Sequence, residues 1–335
     1  MKKLLAIVLA LTLSLSLVAC GAKDTPSTST ANDTSTATST DKKSYTIGFI
    51  PMTLNNEYFI TMVNGAKLKA AEMGIELNVQ AGDQHANAAE QLTIVENMIT
   101  SGVDAICIVP SSSEGLLAAL KKCKEANVPV INIDTKLDQS ILDEVGLKVP
   151  FYGTDNFEGA KAAGEYVKTK FEKGTKTAIL TGIEGQQNAA DRRNGFVEGA
   201  GDAITVVAEQ SANWEVDQGY AAAQNIITAN PDLQLIYCGN DGMAIGALRA
   251  VQEAKLNDQI KIIGFDGISE AMNLIESGEL YGSVAQFPGE MGMLGVENAV
   301  KALNGEEIEQ YINTGAKLIT PEIVKEHKDY LKQFE

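Results

Sequence analysis

Histidine is nearly missing from this chain: His85 and His327 are the only two in 335 residues. Imidazole is the side chain that titrates nearest neutrality, so acid–base chemistry and histidine metal sites have little to draw on. The phosphate-binding and nucleophile signatures G-x-x-x-x-G-K-[ST], G-x-G-x-x-G and G-x-S-x-G are also absent. Cysteine is scarce. Cys20 closes the first apolar run, while Cys107, Cys123 and Cys238 lie in apolar strand- or helix-like stretches with no C-x-x-C spacing. That pattern argues against a disulfide framework, a zinc site or a thioredoxin-like site, and for buried free thiols. Basic residues are in deficit, 27 against 44 acidic, for a net charge of −17. Such a surface repels phosphate backbones, so nucleic acid is not an expected partner. No metal or cofactor is expected either.

What is present begins with a leader. Lys2 and Lys3 precede the apolar run LLAIVLALTLSLSL, which ends in LVAC, Leu17 to Cys20. A charged start, a short apolar stretch and small residues at its end describe a secretory signal. The Leu-x-Ala-Cys ending resembles the lipobox of bacterial lipoproteins, which implies cleavage after residue 19 and lipid on the Cys20 thiol. Lipid of this kind anchors a protein to a membrane without spanning it. Residues 20–43 then form a Ser/Thr-rich stretch with no large apolar side chain, too polar for a core. It reads as a flexible tether of roughly 25–30 Å average reach.

From Tyr45 onward short β-branched runs alternate with stretches of helical period. YTIGFIP, IELNVQAG, AICIVP and VPVINID are the first strand-like runs; FYGTD, TAILTG, TVVAEQSA, LQLIYCG, IKIIGFD and LYGSVAQ follow. Strands apolar throughout predict parallel sheets covered on both faces, an α/β doubly wound architecture. There are too many units for one comfortable sheet. Two similar lobes are expected, with a break near DQSILDEVGLKVP, Asp138 to Pro150.

Ligands of open α/β sheets bind beyond the carboxyl ends of the strands. The strand exits here carry Asn55, Asn56, Tyr58 and Phe59; Asp134; Gln187, Asn188 and Arg192; Asn213 and Trp214; Asn240 and Asp241; Asp266; and Gln286. Each has a plainer use. Asn55, Asn240, Asp241 and Asp266 suit helix caps, the aromatics suit a core, and Arg192 suits a solvated helix face. His85, in AGDQHANAAEQ, reads as a loop residue. Together, however, amides, carboxylates, one arginine and planar rings fit a sugar. Rings cover its C–H faces, and the polar groups donate to and accept from its hydroxyls.

At these residues the chain resembles the periplasmic sugar-binding proteins of ABC importers, type 1 periplasmic binding proteins that share a fold with the lactose repressor, and among them the ribose binders most. TLNNEYF, VINID, GTDN, AADRRNGF, GNDGMAIGALRAV, IIGFDG and VAQFP carry the resemblance, in order and spacing, over Tyr45 to about Thr320. It implies two Rossmann-like lobes joined by a three-segment hinge near Gly153–Thr154, Gln286–Phe287 and Asn313. One lobe would hold residues 44–153 plus 287–312, the other 154–286 plus 313–335. It also implies a ligand set of Asn56, Tyr58, Phe59, Asp134, Arg192, Trp214, Asn240, Asp266 and Gln286, with Thr135 and Asn188 beside it. The implied task is capture of a monosaccharide, a ribose-like pentose or an aldohexose, by a monomer that delivers it to an ABC permease. Two positions depart: the ribose binder has Asn in place of Val109 and Arg in place of Thr135. Those losses remove hydroxyl contacts, and the wide ring of Trp214 suits a pyranose hexose. The calcium loop of the galactose/glucose binder has no counterpart. Other tasks on the same fold are a sensor that shows its closed form to a chemoreceptor or kinase, an enzyme with Asp134 and Asp266 as an acid/base pair, and a transcription regulator. The last needs an N-terminal DNA-binding unit where this chain has its leader and tether.

Overall fold

A computed structural model describes residues 44–85 and 87–335. Cys20, the leader and the tether lie outside the described residues. The chain alternates β1 (Thr46–Ile50), α1 (Glu57–Met73), β2 (Glu76–Val79), α2 (Ala88–Ser101), β3 (Ala105–Ile108), α3 (Leu117–Ala126), β4 (Val130–Ile133), α4 (Gln139–Val145) and β5 (Phe151–Gly153). It continues through α5 (Asn156–Lys170), β6 (Thr175–Thr181), α6 (Gln187–Ala200), β7 (Ile204–Ser211), α7 (Val216–Ala229), β8 (Leu235–Cys238), α8 (Asp241–Glu253), β9 (Lys261–Asp266), α9 (Ser269–Glu276) and β10 (Gly282–Ala285). Helix α10 (Pro288–Leu303), β11 (Tyr311–Asn313), β12 (Lys317–Ile319) and α11 (Val324–Leu331) complete it, with a last 3-10 turn at Lys332–Phe334.

The strands form two six-stranded sheets, β11-β5-β4-β3-β1-β2 and β12-β10-β9-β8-β6-β7, one per lobe. Every pairing is parallel except β10 with β12. β3, β4 and β8 are buried at every residue, as expected for strands covered by helices on both faces. The strand order reverses at β1/β3 in one sheet and at β6/β8 in the other, so a crevice opens beyond the ends of those strands. Cys107, Cys123 and Cys238 are buried and free. Among the described residues no helix is long and apolar enough to cross a membrane.

The break expected at Asp138–Pro150 is not where the lobes part. Asp138 caps α4 by accepting from the Ser140 N–H, and Gly146 ends it at φ 69°. Ile141, Leu142 and Val145 are buried against the core of the first lobe, and the chain re-enters the same sheet as β5. A seven-residue helix is too short to display its period in sequence. The chain instead passes between sheets after Gly153, after Ala285 and after Asn313. Asn313 itself pairs with Gly153, one residue beyond the expected boundary. The first and third passages are bonded side by side: Thr154 Oγ1 donates to the Gly315 carbonyl (3.2 Å), and Asp155 N–H donates to Asn313 Oδ1 (3.1 Å).

Three helix pairs meet backbone to backbone through glycine. A methyl on Gly65 of α1 would run into the Gly289 carbonyl of α10, and one on Gly292 into the Met62 carbonyl. Gly195 and Gly199 of α6 sit in the same way against Phe157 and Lys161 of α5, and Gly246 of α8 against Val216 of α7. Gly65→Ala is therefore expected to destabilise the protein by about 1–3 kcal/mol despite alanine's better helix propensity, because a backbone carbonyl cannot swing aside. Urea unfolding of the variant checks this; an unchanged midpoint would contradict it.

Candidate functional site

Local structure first uses several strand-exit residues as caps. Asn56 precedes α1 and accepts from the Tyr58 N–H (2.9 Å); Asn240 precedes α8 and accepts from the Met243 N–H (2.8 Å). Capping takes only the amide oxygen and fixes where the NH₂ points. Among the described residues, four of the six non-glycine residues with positive φ lie at these strand exits: Asp134 (63°), Asn213 (51°), Trp214 (68°) and Asp266 (117°). Strain of that kind is held at ligand sites, where the surroundings over-determine the backbone.

The crevice holds a narrow, partly open cavity of about 30 Å³. Met52, Asn56, Tyr58, Phe59, His85 and Asp134 line it from the first lobe; Asn188, Arg192, Trp214, Asn240 and Asp266 line it from the second. Nine of the eleven residues anticipated from sequence meet there. Thr135 and Gln286 lie behind the wall, fully buried. Thr135 Oγ1 donates to Asp134 Oδ2 (3.1 Å), and Gln286 Nε2 donates to Asp266 Oδ1 (2.8 Å). The Oδ1 of Asn188 and the Oε1 of Gln286 are buried without a protein partner. An unpaired buried acceptor costs about 1–3 kcal/mol, so Asn188 Oδ1, on a residue that lines the cavity, marks where a ligand donor fits.

Arg192 is the centre of the second lobe's wall. It is buried at the start of α6, not on a solvated face. Nε donates to Asn156 Oδ1 (2.7 Å); Nη1 donates to the Gly239 carbonyl (2.8 Å) and to Asp266 Oδ1 (3.0 Å). Its guanidinium lies 3.9 Å from the centre of the Phe265 ring. Burial pushes the Asp266 carboxyl up to about 6, against the pull of Arg192. Opposite, the Tyr58 hydroxyl donates to Asp134 Oδ1 (2.6 Å), and burial, then that carboxylate, raise the phenol well above its ordinary value. Asp241 does not reach the cavity. It accepts from Gly267 N–H (2.7 Å), Ile268 N–H (3.0 Å) and Ser283 Oγ (2.6 Å), so it holds the loop that carries Asp266. Burial, then the charge of Asp266, push its carboxyl up to about 8.

Two participants were not legible beforehand. His85, read from sequence as a loop residue, lines the cavity and bridges the lobes: its Nδ1 lies 2.9 Å from Glu215 Oε1. With Nδ1 donating there, Nε2 is left to accept from Asn56 Nδ2 at 3.5 Å. Gln186 is the other. Its Oε1 accepts from the Trp214 indole N–H (2.7 Å), and its Nε2 donates across the crevice to the Ser111 carbonyl (2.7 Å). The indole itself rests on Gly182 and Gly239, where any side chain would displace it. Gln187 N–H to Ser113 Oγ (3.3 Å), Asn188 Nδ2 to Thr135 Oγ1 (3.3 Å) and Ser269 N–H to Glu57 Oε1 (2.8 Å) also join the lobes. The signal for Gln186 was present in GIEGQQN: a polar pair immediately after a turn glycine at the strand exit. Gln186→Ala removes both bonds at once. It is expected to speed ligand dissociation by about tenfold, the equivalent of one net hydrogen bond of roughly 1–1.5 kcal/mol, with association little changed. Stopped-flow fluorescence separates the two rates.

Carboxylates that accept, an arginine that donates, amides that do both, and rings at Phe59 and Trp214 make a lining for a neutral polyhydroxylated ring. Comparison with known proteins agrees with the architecture. Residues 47–307 match the periplasmic binding protein domain model. The D-ribose/D-allose-binding protein of Pseudomonas aeruginosa is 34% identical over 281 residues, 82% of this chain and 88% of that protein. The ribose import binding protein of Escherichia coli is 34% identical over 275 residues, 82% and 90% of the two chains. Among solved structures, an ABC transporter periplasmic solute-binding protein of Actinobacillus succinogenes with bound D-allose has a TM-score of 0.80 at 34% identity, covering 84% of this chain and 99% of that one. These relatives are transport proteins that bind sugars, not enzymes, and the chain belongs to the periplasmic binding protein family.

Proposed function

We propose that this protein is an extracytoplasmic lipoprotein, held at the outer face of the cell membrane through Cys20, that captures a sugar between its lobes and delivers it to an ABC permease. The observation that carries the proposal is the cavity shared by two lobes, with Asp134 and Phe59 on one side and Asp266, Arg192 and Trp214 on the other. Residues 44–153 with 287–313 would move as one body and 154–286 with 314–335 as the other. Closure would join surface from both lobes into a face that only the loaded form presents. Asn56, Asn188 and Asn240 would read hydroxyls, Asp134, Asp266 and Arg192 would bind the strongest polar positions, and Phe59 and Trp214 would cover the ring faces. Thr135 and Gln286 would orient the two carboxylates. Relatives carry both smaller and larger ligands: one is a ribose importer's binder, and another solved structure holds D-fucose.

Trp214 is the only tryptophan, so its emission reports the site alone. Titration with D-ribose, D-allose, D-galactose, D-glucose and myo-inositol is expected to change that emission saturably for at least one of them, and Asp266→Asn is expected to abolish the change. A panel without effect, on protein freed of co-purified ligand, would sink the assignment to these sugars.

A further inference from the structure

The sugar cavity has a neighbour. Asp134 and Asn188, which line it, also line a second, partly open cavity of about 140 Å³. That cavity continues over Phe151, Thr154 and Tyr311 to Lys136 and Asp191. Phe151 and Tyr311 are the paired first residues of β5 and β11, and their rings stack at 6.0 Å with 26° between planes. Tyr311 is 50% exposed, a large ring left open to solvent. The Phe151 ring lies close to the shared wall: a Cβ on Gly153 would stand 2.7 Å from its Cζ and 3.2 Å from the Asp134 Cα.

Asp134 and Asn188 are the residues the two cavities share. The Asp134 carboxylate is held by Tyr58 and Thr135, but the Asn188 amide is loosely bonded. The amide makes one long bond to Thr135 (3.3 Å) and leaves Oδ1 buried and unpartnered. A larger trough adjoins the sugar cavity through Asn56, His85 and Trp214. There the tight His85–Glu215 bridge and the indole stand in the way, and Glu57, Asp83, Asp217 and Glu270 line what lies beyond. The near side joins the Tyr311 and Phe151 rings to a mixture of donors and acceptors, the chemistry of the sugar cavity itself, with Asp155 and Asp191 also in its lining.

We propose that this second cavity is a subsite for a neutral substituent on the bound sugar, so that the ligand taken best is a glycoside or disaccharide and not the free monosaccharide. The proposal rests on the sugar-binding function. The second ring would lie on Tyr311 and Phe151, and Asn188 Oδ1 would accept from a hydroxyl near the glycosidic link.

Calorimetric titration of the full-length chain tests this with three sets of probes: D-ribose, D-allose, D-galactose and D-glucose; the methyl α- and β-glycosides of each; and disaccharides that carry each sugar at the non-reducing end. At least one substituted form is expected to bind tenfold or more tightly than its free sugar. Tyr311→Ala is expected to erase that gain while free-sugar affinity and unliganded melting temperature stay as they were. Substituted forms that all bind more weakly than free sugars would overturn the subsite. So would a gain that survives Tyr311→Ala but is lost in Asp217→Asn, which would send the substituent into the trough. If no carbohydrate binds in any form, the sugar-binding function falls, and the subsite with it.

Discussion

Arg192→Ala is expected to lower sugar affinity by about 10²–10⁴-fold. Hydrogen bonds to charged groups contribute about 1.5–3 kcal/mol each, and the substitution removes two in effect: the guanidinium's own bond to a hydroxyl, and the aim of Asp266, which Arg192 fixes through Nη1. Stability falls too. A buried carboxylate deprived of its cation typically costs about 3–5 kcal/mol. The loss should depend on pH, and its sign follows from Asp266. Burial already raises this carboxyl from 3.8 to about 6, so its contribution to unliganded stability is fullest below 3.8 and is lost as pH rises through 6. Arg192 works against that rise. Without it the carboxyl climbs further, and the ionised form becomes more costly. The variant should therefore lie closer to wild type in stability near pH 5 than near pH 8. Denaturant midpoints across that range decide it; a deficit that is flat with pH would mean that Arg192 supports the fold through packing over Phe265 and its neutral acceptors alone.

A saturating sugar is expected to raise the melting temperature by roughly 8–16 °C. Ligand at a thousand times its dissociation constant adds about 4 kcal/mol to the folded state. For lobes of this size one kcal/mol corresponds to roughly 2–4 °C. The shift should require both lobes, since the cavity lining is divided between them. Phe59→Ala and Trp214→Ala, one on each side, should each cut it by more than half. A sugar that protects the wild type but leaves both variants equally protected would place the ligand outside this cavity. Trp214→Ala needs an unliganded melt alongside, because the indole N–H also donates to Gln186 Oε1.

Much of this molecule can be read in its sequence, and the residues show why. Strands buried on both faces must be apolar throughout, so AICIVP and LIYCG announce themselves. The fold directs residues at strand exits toward one crevice, which makes Asn56, Asp134, Arg192, Trp214 and Asp266 candidates, but the family resemblance, not position, separates them from Asn55, Gln187, Asn213 and Asp241. Pattern fails where meaning depends on a partner far along the chain. His85 looks like a loop residue until Glu215, 130 positions later, comes within 2.9 Å. Gln186 is one polar residue in a turn until its two ends are seen to hold Trp214 and Ser111. Thr135 and Gln286 belong to motifs that carry the family resemblance, yet sit behind the wall they were expected to form. Position along a strand exit does not tell which of two successive side chains faces the crevice. Likewise α4, with only seven residues, offered too little period to separate it from a linker.

The glycine contacts between helices have a consequence for time rather than for stability. Where α1 meets α10, α5 meets α6 and α7 meets α8, no cushion of side chains lies between the backbones to slide or repack. Water therefore gains access to the amides on those faces only when a helix leaves its lobe altogether. In deuterium exchange, Met62, Gly65, Lys161, Gly195, Gly219 and Gly246 should become labelled together with the last-exchanging core, whether or not sugar is present. The passages at Gly153–Asn156 and Asn313–Lys317, by contrast, should change their labelling rate when the ligand arrives. The chain thus keeps two clocks, a slow one in its helix seams and a fast one in its connecting segments, and capture sets only the second.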